Sequence, residues 1–440
     1  MKLKYFTLAL CFVLSAATGA LAQLASDAKL TEPLDRRTVL REALERNPAA
    51  RVFEQRAEAS RALAKAEGSL PAPEVMGQVW QVPFSQPLAF NQNMIMVGVT
   101  QSFPAPGSLA AREQSMAAEA EVELAMASDR ARMIVRDAGH AFADYAESSA
   151  RHHIHRAHLD VMQHLADVAR ARHATGGSLT DVARAEVEVS RVEADFVTDA
   201  TLIESARANL NAQLGRDPGA ELGPPRDTEP MVPSVEVAGL LARAQASRPE
   251  FKRAQAEKEA RAFAARAADQ EATWPSFSVG ALYFPPTKAV DQHGYGASVT
   301  MSLPWLWGAA GRRSAAEQKS LAAAEADLEA TKIPVNAEVV TAESKARSAA
   351  YRLQVLRDRT LPASRRAFEV VQAGFESGRT DLMTVLDARR AVVDVEMEMV
   401  MARSNLEHAL TDLEAAVGTE VPTRPLGPLG ANPPGESHGH

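Results

Sequence analysis

Apolar and polar side chains alternate most regularly in one short segment, residues 94–103. One face of this segment carries Ile95, Val97, Val99 and Phe103, and the other carries Met96, Gly98, Thr100 and Ser102. A period of two residues predicts a β-strand. Residues 276–284 and 295–303 alternate in the same way, and residues 75–84 form a fourth short segment of similar length. We therefore predict four strands, two in each half of the chain.

Long runs of helix-forming residues separate the strands. Residues 109–174 contain no proline and one glycine, Gly139, and are dominated by Ala, Glu, Arg, Met and Leu. At about 1.5 Å per residue, such a helix is a rod of roughly 100 Å. Globular helices rarely exceed about 20 residues, so an ordinary compact domain is excluded. Further helices are predicted over 36–68 (broken at Asn47-Pro48), 180–214, 237–272 (broken at Arg248-Pro249), 313–374 (punctuated by Pro334 and Pro362) and 381–417.

The order of elements occurs twice along the chain. The motif Val99-Thr100-x-Ser102-x-Pro104 recurs 200 residues later as Val299-Thr300-x-Ser302-x-Pro304, and Ala185 and Gly215 recur 203 residues later as Ala388 and Gly418. A nearly constant offset over most of the chain predicts a tandem duplication. Each copy contains a helix, two strands, a long helix, a turn and a further helix.

The amino-terminal segment has the features of a secretory signal peptide. Lys2 and Lys4 precede an apolar stretch, and Ala20-Leu21-Ala22 matches a small-x-small cleavage site. Because Cys11 is the only cysteine and lies in this segment, we expect no disulfide and no lipid anchor in the mature chain. The chain then divides into a signal peptide (1–22), a first repeat (23–216), an equatorial linker (217–236), a second repeat (237–418) and a flexible tail (419–440).

Strand length and charge together favour an outer-membrane barrel. A net charge of -8 offers no basic surface for nucleic acid, and no later stretch has the ~18 apolar residues of a membrane-spanning helix. The strands match tilted outer-membrane strands in length and alternation, but a closed barrel needs about eight, and open edges cannot lie in lipid. Two chains would supply eight strands and three would supply twelve. Because three leave a wider lumen, we expect a mainly α fold with a small β part: a trimeric twelve-stranded barrel continued by a long α-helical barrel.

Three motifs are specific enough to indicate a family. The second turn reads Phe375-x-x-Gly378-x-x-x-x-x-x-Val385-Leu386-Asp387-Ala388, the first reads Thr180-Asp181-Val182-x-x-Ala185, and the strand-to-helix junction reads Thr100-Gln101-Ser102-Phe103-Pro104-x-Pro106-Gly107. They resemble motifs of the TolC outer-membrane efflux family, the trimeric exit ducts of tripartite pumps. The junction is similar to that of members serving heavy-metal pumps. This resemblance covers nearly all of the mature chain and implies a periplasmic tip built from the two turns.

The resemblance also implies a charged constriction at that tip. Asp181 and Asp387 match tip positions, with Arg379, Asp381 and Thr384 beside them. Thr384 occupies a place where a pore aspartate is common in the family, and Thr380 one where an arginine of the closing network is often seen. A ring of carboxylates around a narrow lumen favours cations. Helix capping is the alternative for Asp181 and Asp381, since a carboxylate in a first turn complements the helix dipole.

Two other groups of side chains carry candidate roles. Trp274, Trp305 and Trp307 flank the third and fourth strands, and we interpret them as a girdle at the membrane interface, with core packing as the alternative. His152, His155 and His158 recur at every third position of the long helix, and the chain ends in His438-Gly439-His440. Imidazoles on adjacent turns can bind a metal, but no carboxylate or cysteine completes a set, so we assign no metal and no cofactor.

Motifs for catalysis are missing from the sequence. It contains no Gly-x-x-x-x-Gly-Lys and no His-Glu-x-x-His, and its one Gly-x-Ser-x-Gly match, residues 435–439, lies in the Pro- and Gly-rich tail rather than between a strand and a helix. We therefore predict no enzyme but a passive duct in the outer membrane with a large periplasmic portion. It would act with a periplasmic adaptor and an inner-membrane pump of the resistance–nodulation–division type. A duct for type I protein secretion and a periplasmic coiled-coil scaffold without a pore are the alternatives.

Overall fold

The computed structural model of the chain describes residues 30–80, 94–287 and 291–430. The signal peptide, the last four residues of the predicted first strand and the terminal histidines lie outside the described residues. Clustering of contacts divides the chain into two compact units. The first contains Arg130–Arg248, the residues from Val335 onwards and the amino-terminal segment up to Ala50, and the second contains Arg51–Asp129 and Pro249–Pro334. We describe each unit separately.

Nine helices and six strands make up the described part of the chain. The helices are α1 (Arg36–Arg46), α2 (Ala49–Glu67), α3 (Ser108–Ala174), α4 (Leu179–Gln213), α5 (Val237–Ser247), α6 (Pro249–Thr273), α7 (Ala309–Val355), α8 (Leu361–Glu376) and α9 (Leu382–Val417). The strands are β1 (Glu74–Trp80), β2 (Met94–Phe103), β3 (Met231–Pro233), β4 (Phe277–Phe284), β5 (Gly294–Met301) and β6 (Thr423–Pro425). A 3₁₀ turn (Leu306–Gly308) precedes α7, and a π-helical turn (Leu356–Thr360) joins α7 to α8.

The helix bounds follow the sequence signals closely. The long helix α3 has 67 residues and begins one residue before its predicted start. The breaks before Pro48 and Pro249 are confirmed, because the residue before a proline avoids the helical conformation. The predicted rod over 313–374 behaves differently at its two prolines. The helix α7 continues through Pro334, whereas Pro362 lies in the first turn of α8, directly after the π-helical turn.

The second unit contains a four-stranded antiparallel sheet in the order β1-β2-β4-β5. Val75 is paired with Val99, Val99 with Ala281, and Ala281 with Ala297, so one register runs across all four strands. The sheet therefore joins the strands of the two sequence halves through the β2–β4 pair. Each half supplies one of the two edge strands, β1 and β5.

The first unit contains the helical hairpins and a small sheet that the sequence did not predict. Residues 217–236 and the tail after Thr419 are predicted to be irregular and loose, but β3 in the first segment pairs with β6 in the second. Val421 and Leu426 beside β6 are buried, 2% and 7% exposed. The expectation of a flexible tail is therefore wrong for residues 421–426, because two short strands far apart in sequence complete each other's backbone hydrogen bonds.

Candidate functional site

The four-stranded sheet has one nearly continuous apolar face. Because side chains alternate along a strand, residues in register point to the same side. The apolar face carries Val75, Val79, Ile95, Val97, Val99, Phe103, Phe277, Val279, Ala281, Tyr283, Tyr295, Ala297, Val299 and Met301. The sequence predicted this alternation strand by strand, and the register brings the four strands into phase.

The apolar face is exposed in a single copy of the chain. Tyr295 is 82% exposed and Val299 is 74% exposed. Aromatic pairs reinforce the face, with ring centroids 5.4 Å apart for Phe103 and Phe277. The opposite face is built from smaller and more polar residues. At Gly280 on that face, an added Cβ would lie 2.8 Å from the Thr100 hydroxyl oxygen, so a side chain would meet its neighbours.

The predicted tryptophan girdle flanks this sheet. Trp274 and Trp305 are each just over half exposed, and Trp307 is 89% exposed. Trp307 also has a positive φ of 62°, a conformation that a bulky residue rarely adopts, and it precedes Gly308 at φ 65°. Buried core packing, the alternative considered for these residues, does not fit their exposure in the single chain.

Two tight turns connect the helices of the first unit. Gly176 (φ 103°) lies between α3 and α4, and Gly378 (φ 76°) lies between α8 and α9. Glycine suits these positions because it adopts a positive φ without a steric penalty. The helix after each turn starts with a side-chain cap: Ser178 accepts from the Thr180 N–H at 3.2 Å, and Asp381 accepts from the Thr384 N–H at 2.9 Å.

An apolar core lies directly behind the two turns. Phe375, Leu382 and Val385 are fully buried, and they pack in one cluster with Val182 and Ala185 of α4. The Arg172 guanidinium lies over the Phe375 ring at 4.7 Å from its centroid. The motif residues that resemble the family's turns are therefore mostly core residues, which fix the two hairpins against each other.

An ion pair between a buried carboxylate and a half-buried guanidinium joins the hairpins beside this core. Arg390 of α9 donates to both carboxylate oxygens of Glu188 on α4, at 3.1 and 2.6 Å. The Arg390 hydrogen bonds lower the pKa of Glu188, whose side chain is only 7% exposed, and they raise the pKa of Arg390. Asp387 lies 3.5 Å from the same guanidinium and is 65% exposed.

Arg389, which precedes Arg390 on α9, is a buried cation. Arg389 is 8% exposed, its guanidinium is 5.6 Å from the centroid of the Phe368 ring, and its Nε donates to Nδ1 of His158 at 3.4 Å. Burial, together with the charge of Arg389, lowers the pKa of His158 to about 4. The imidazole is therefore neutral and acts as an acceptor near neutral pH.

Part of the chain matches a known protein family. Residues 240–419 match the family model of the outer membrane efflux protein. The second half of the chain is therefore similar to this family. No curated protein sequence matches it significantly.

Solved structures of outer-membrane channels share the fold of this chain. CusC matches with a TM-score of 0.74 and 15% identity over 89% of this chain and 93% of that chain. VceC from Vibrio cholerae matches with a TM-score of 0.71 and 18% identity over 87% and 96%. The open state of the MtrE channel of Neisseria gonorrhoeae matches with a TM-score of 0.71 and 18% identity over 88% and 89%. The fold that the resemblance to the TolC family implies is thus shared with solved outer-membrane channels.

The predicted gate residues occupy different environments. Asp181 is partly buried in the first turn of α4, whereas Thr384 and Arg379 are exposed. Asp381 uses both carboxylate oxygens to cap α9, through the backbone and the hydroxyl of Thr384. These hydrogen bonds lower the pKa of Asp381. Among the three predicted gate carboxylates, Asp387 is the one that is exposed and also contacts a guanidinium, that of Arg390.

Sequence reasoning missed the Glu188–Arg390 pair and the His158–Arg389 contact. Glu188 shares a helical face with Val182, Ala185 and Val192, all buried. A carboxylate on an apolar stripe of a helix indicates a buried partner, and this signal was available from the sequence.

His152, His155 and His158, the three candidate metal-binding residues of the long helix, have separate protein partners. The ring of His152 lies 4.1 Å from that of Phe196, centroid to centroid, and Nδ1 of His155 lies 2.5 Å from the buried carboxylate of Asp199. Within residues 30–80, 94–287 and 291–430, no group of three or more His, Cys, Asp or Glu residues is arranged to bind a metal. In the same part of the chain, no helix is both long and apolar enough to cross a bilayer.

Proposed function

We propose that the chain forms a passive, gated exit duct as a homotrimer, with twelve strands in the outer membrane and a helical tube in the periplasm. The observation that carries this proposal is the sheet, whose apolar positions are in phase across four strands and whose edge strands are β1 and β5. Such a face fits lipid, and open edges are not tolerated in hydrocarbon. Each edge therefore needs a strand from another copy.

The edge contact is inferred to be head-to-tail. If β5 of one copy pairs with β1 of the next, the same contact repeats around an axis and closes a ring without free edges. The exposed Trp305 and Trp307 fit the interfacial girdle of such a barrel. The repeated order of elements supports the inferred tandem duplication, which supplies two strands per half.

The gate is proposed to lie at the two turns. In a symmetric trimer, Asp181 and Asp387 would each contribute three carboxylates to the tip, and their combined field would favour cations. The Glu188–Arg390 pair links α4 to α9 and would hold the two hairpins in one arrangement. A periplasmic adaptor or a pump of the resistance–nodulation–division type would shift these helices. The energy would come from that pump, because the chain lacks a nucleotide-binding motif.

A conductance measurement tests the gate. The double variant Asp181→Ala with Asp387→Ala should raise single-channel conductance or weaken block by divalent cations in planar bilayers, because it removes charge from the constriction. Asp195→Ala is the matched control, since it removes an exposed carboxylate further along α4. Unchanged conductance and unchanged block in the double variant would remove the gate assignment.

Membrane fractionation tests the duct itself. The protein should sediment with the outer membrane and migrate as a heat-modifiable trimer. A soluble chain would instead support the periplasmic scaffold considered above. The identity of the pump separates drug or metal efflux from type I protein secretion, since one is driven by protons and the other by an ATPase.

A further inference from the structure

The helices α3 and α9 approach each other closely at Gly139, the one glycine in 109–174. A Cβ built on Gly139 would lie 2.8 Å from Cγ2 and 3.0 Å from the hydroxyl oxygen of Thr411. Any larger residue at this position would push the helices apart. The close approach brings the neighbouring side chains, His140 on α3 and His408 on α9, into direct contact.

The two imidazoles form a reciprocal arrangement with two carboxylates. Their rings stack with centroids 4.7 Å apart and an interplanar angle of 12°. Nε2 of His140 lies 2.9 Å from Asp412, and Nε2 of His408 lies 3.0 Å from Asp144. On each helix the aspartate follows the histidine by four residues, so both lie on one face. Because α3 and α9 are antiparallel, each histidine meets the aspartate of the other helix.

The charges around this cluster are mostly negative on the two helices that form it. Glu147 of α3 and Glu407 of α9 lie on the same two helices, and Asp144, Glu147 and Asp412 all act on His408. Arg136 of α3 lines one groove with Asp412 and with Glu338 and Lys345 of α7. Arg36 of α1 pairs with Glu414 of α9. The Asp144 carboxylate beside it raises the pKa of His408 above 6.5.

We propose that His140, Asp144, His408 and Asp412 form a proton-dependent clasp that fastens α3 to α9. With His408 protonated, its positive charge lies against the Asp144 carboxylate and beside the ring of His140, which in turn contacts Asp412. Without this proton, the Asp144 carboxylate remains beside a neutral ring, and the ionic contact between the two helices is lost. The proposal concerns helix contact within one chain, so it holds whether or not the chain conducts.

The raised pKa of His408 determines how the stability of this helix contact changes with pH. A histidine with a raised pKa in the folded state binds its proton more tightly there than in the unfolded chain. Its contribution to stability is complete below about pH 6.5 and is lost as the pH rises through the folded pKa. Acid therefore tightens this contact, whereas at His158 acid would place a second positive charge beside Arg389.

The titration of His408 is the first test. Diethyl pyrocarbonate modifies the neutral imidazole, so its rate at His408, followed by mass spectrometry between pH 5.5 and 8.5, reports the pKa. In the full-length protein the midpoint should lie above 6.5, and Asp144→Asn should move it down. Asp167→Asn, at an exposed carboxylate of the same helix, is the matched control and should leave it unchanged. A midpoint that does not respond to Asp144→Asn overturns the proposal.

Hydrogen exchange of the two helices is the second test. Peptides covering residues 136–148 and 404–416 should be less protected at pH 8 than at pH 6, after correction for intrinsic rates. This difference should disappear in the double variant His140→Asn with His408→Asn, and persist in His164→Gln. If the double variant fails to fold, all helices lose protection, and Asp144→Asn with Asp412→Asn replaces it. A pH dependence equal to that of the unaltered protein in a folded variant contradicts the clasp. The gate proposal is unaffected by either result, because no pore is needed for these measurements.

Discussion

The apolar core behind the two turns, called the tip core here, and the four-stranded sheet place the same kinds of side chain in opposite environments. Behind the turns, Phe375, Leu382 and Val385 are fully buried within one chain. On the sheet, Tyr295 and Val299 are 82% and 74% exposed. Apolar residues nevertheless recur along these strands at least as regularly as they do along the helices of the tip core. Burying an apolar side chain is favourable by about 1.5–3 kcal/mol, so an exposed row of them indicates a different solvent or a missing neighbour. The core behind the turns is therefore complete in one chain, whereas the sheet leaves its apolar face exposed, as the proposed contact with lipid requires.

The largest expected effect is at the tip core. Phe375→Ala should destabilise the hairpins by about 3–5 kcal/mol, because it leaves a cavity and removes the ring beneath Arg172. Hydrogen exchange of residues 368–386 in solubilised protein measures the loss, and it should not depend on lipid. Val370→Ala on the same helix is the control, since Val370 is 73% exposed. Equal losses in the two variants would mean that Phe375 is not a core anchor.

A charge on the sheet should have a smaller effect that depends on lipid. Val299→Arg places a cation on the apolar face and should cost about 2–4 kcal/mol at mid-bilayer depth. The measurement is urea unfolding from lipid vesicles, together with the yield of heat-modifiable trimer. Thr300→Arg is the matched control, because it places the same side chain on the opposite face of the same strand. If both variants lose the same stability, the two faces do not separate lipid from water.

Local patterns predicted most of the elements. The strand over 94–103 was bounded correctly because its alternation is uninterrupted. The helix starts after both turns were placed within one residue, because Ser178 and Asp381 are capping residues that follow glycine turns. The pairing of β3 with β6 was missed because each strand has three residues, too few to show a period, and because their partners are distant in sequence.

The candidate site was predicted less completely than the fold. Asp381 was weighed as a gate residue and as a cap, and its recorded hydrogen bonds are those of a cap. Glu188 pairs with Arg390, 202 residues away, and this contact depends on how far each helix is rotated about its own axis. That rotation follows from the packing of Val182, Ala185 and Val385 in a shared core, which no single segment of sequence specifies.

The smallest predicted effect concerns Glu188, a charged residue on the buried stripe of α4. Glu188→Gln keeps the shape of the side chain but weakens its hydrogen bonds with Arg390, which is 39% exposed and can turn to water or Asp387. We therefore expect a loss of only about 1 kcal/mol, measured by hydrogen exchange of the tip helices. Glu186→Gln, at a carboxylate 56% exposed and 3.5 Å from Arg170, should lose nothing measurable.

The pH dependence of this pair distinguishes the charge from the packing. Because Arg390 lowers the pKa of Glu188 below its ordinary 4.5, the contribution of the pair is present above that pH and is lost as the pH falls through the folded pKa. The unaltered protein and Glu188→Gln should therefore converge in stability at low pH and differ at neutral pH. If Glu188→Gln is as stable as the unaltered protein at every pH, Glu188 acts through its shape, as the apolar residues around it do. The two hairpins would then be held together by packing alone. They would differ from the sheet only in whether protein or lipid covers their apolar side chains.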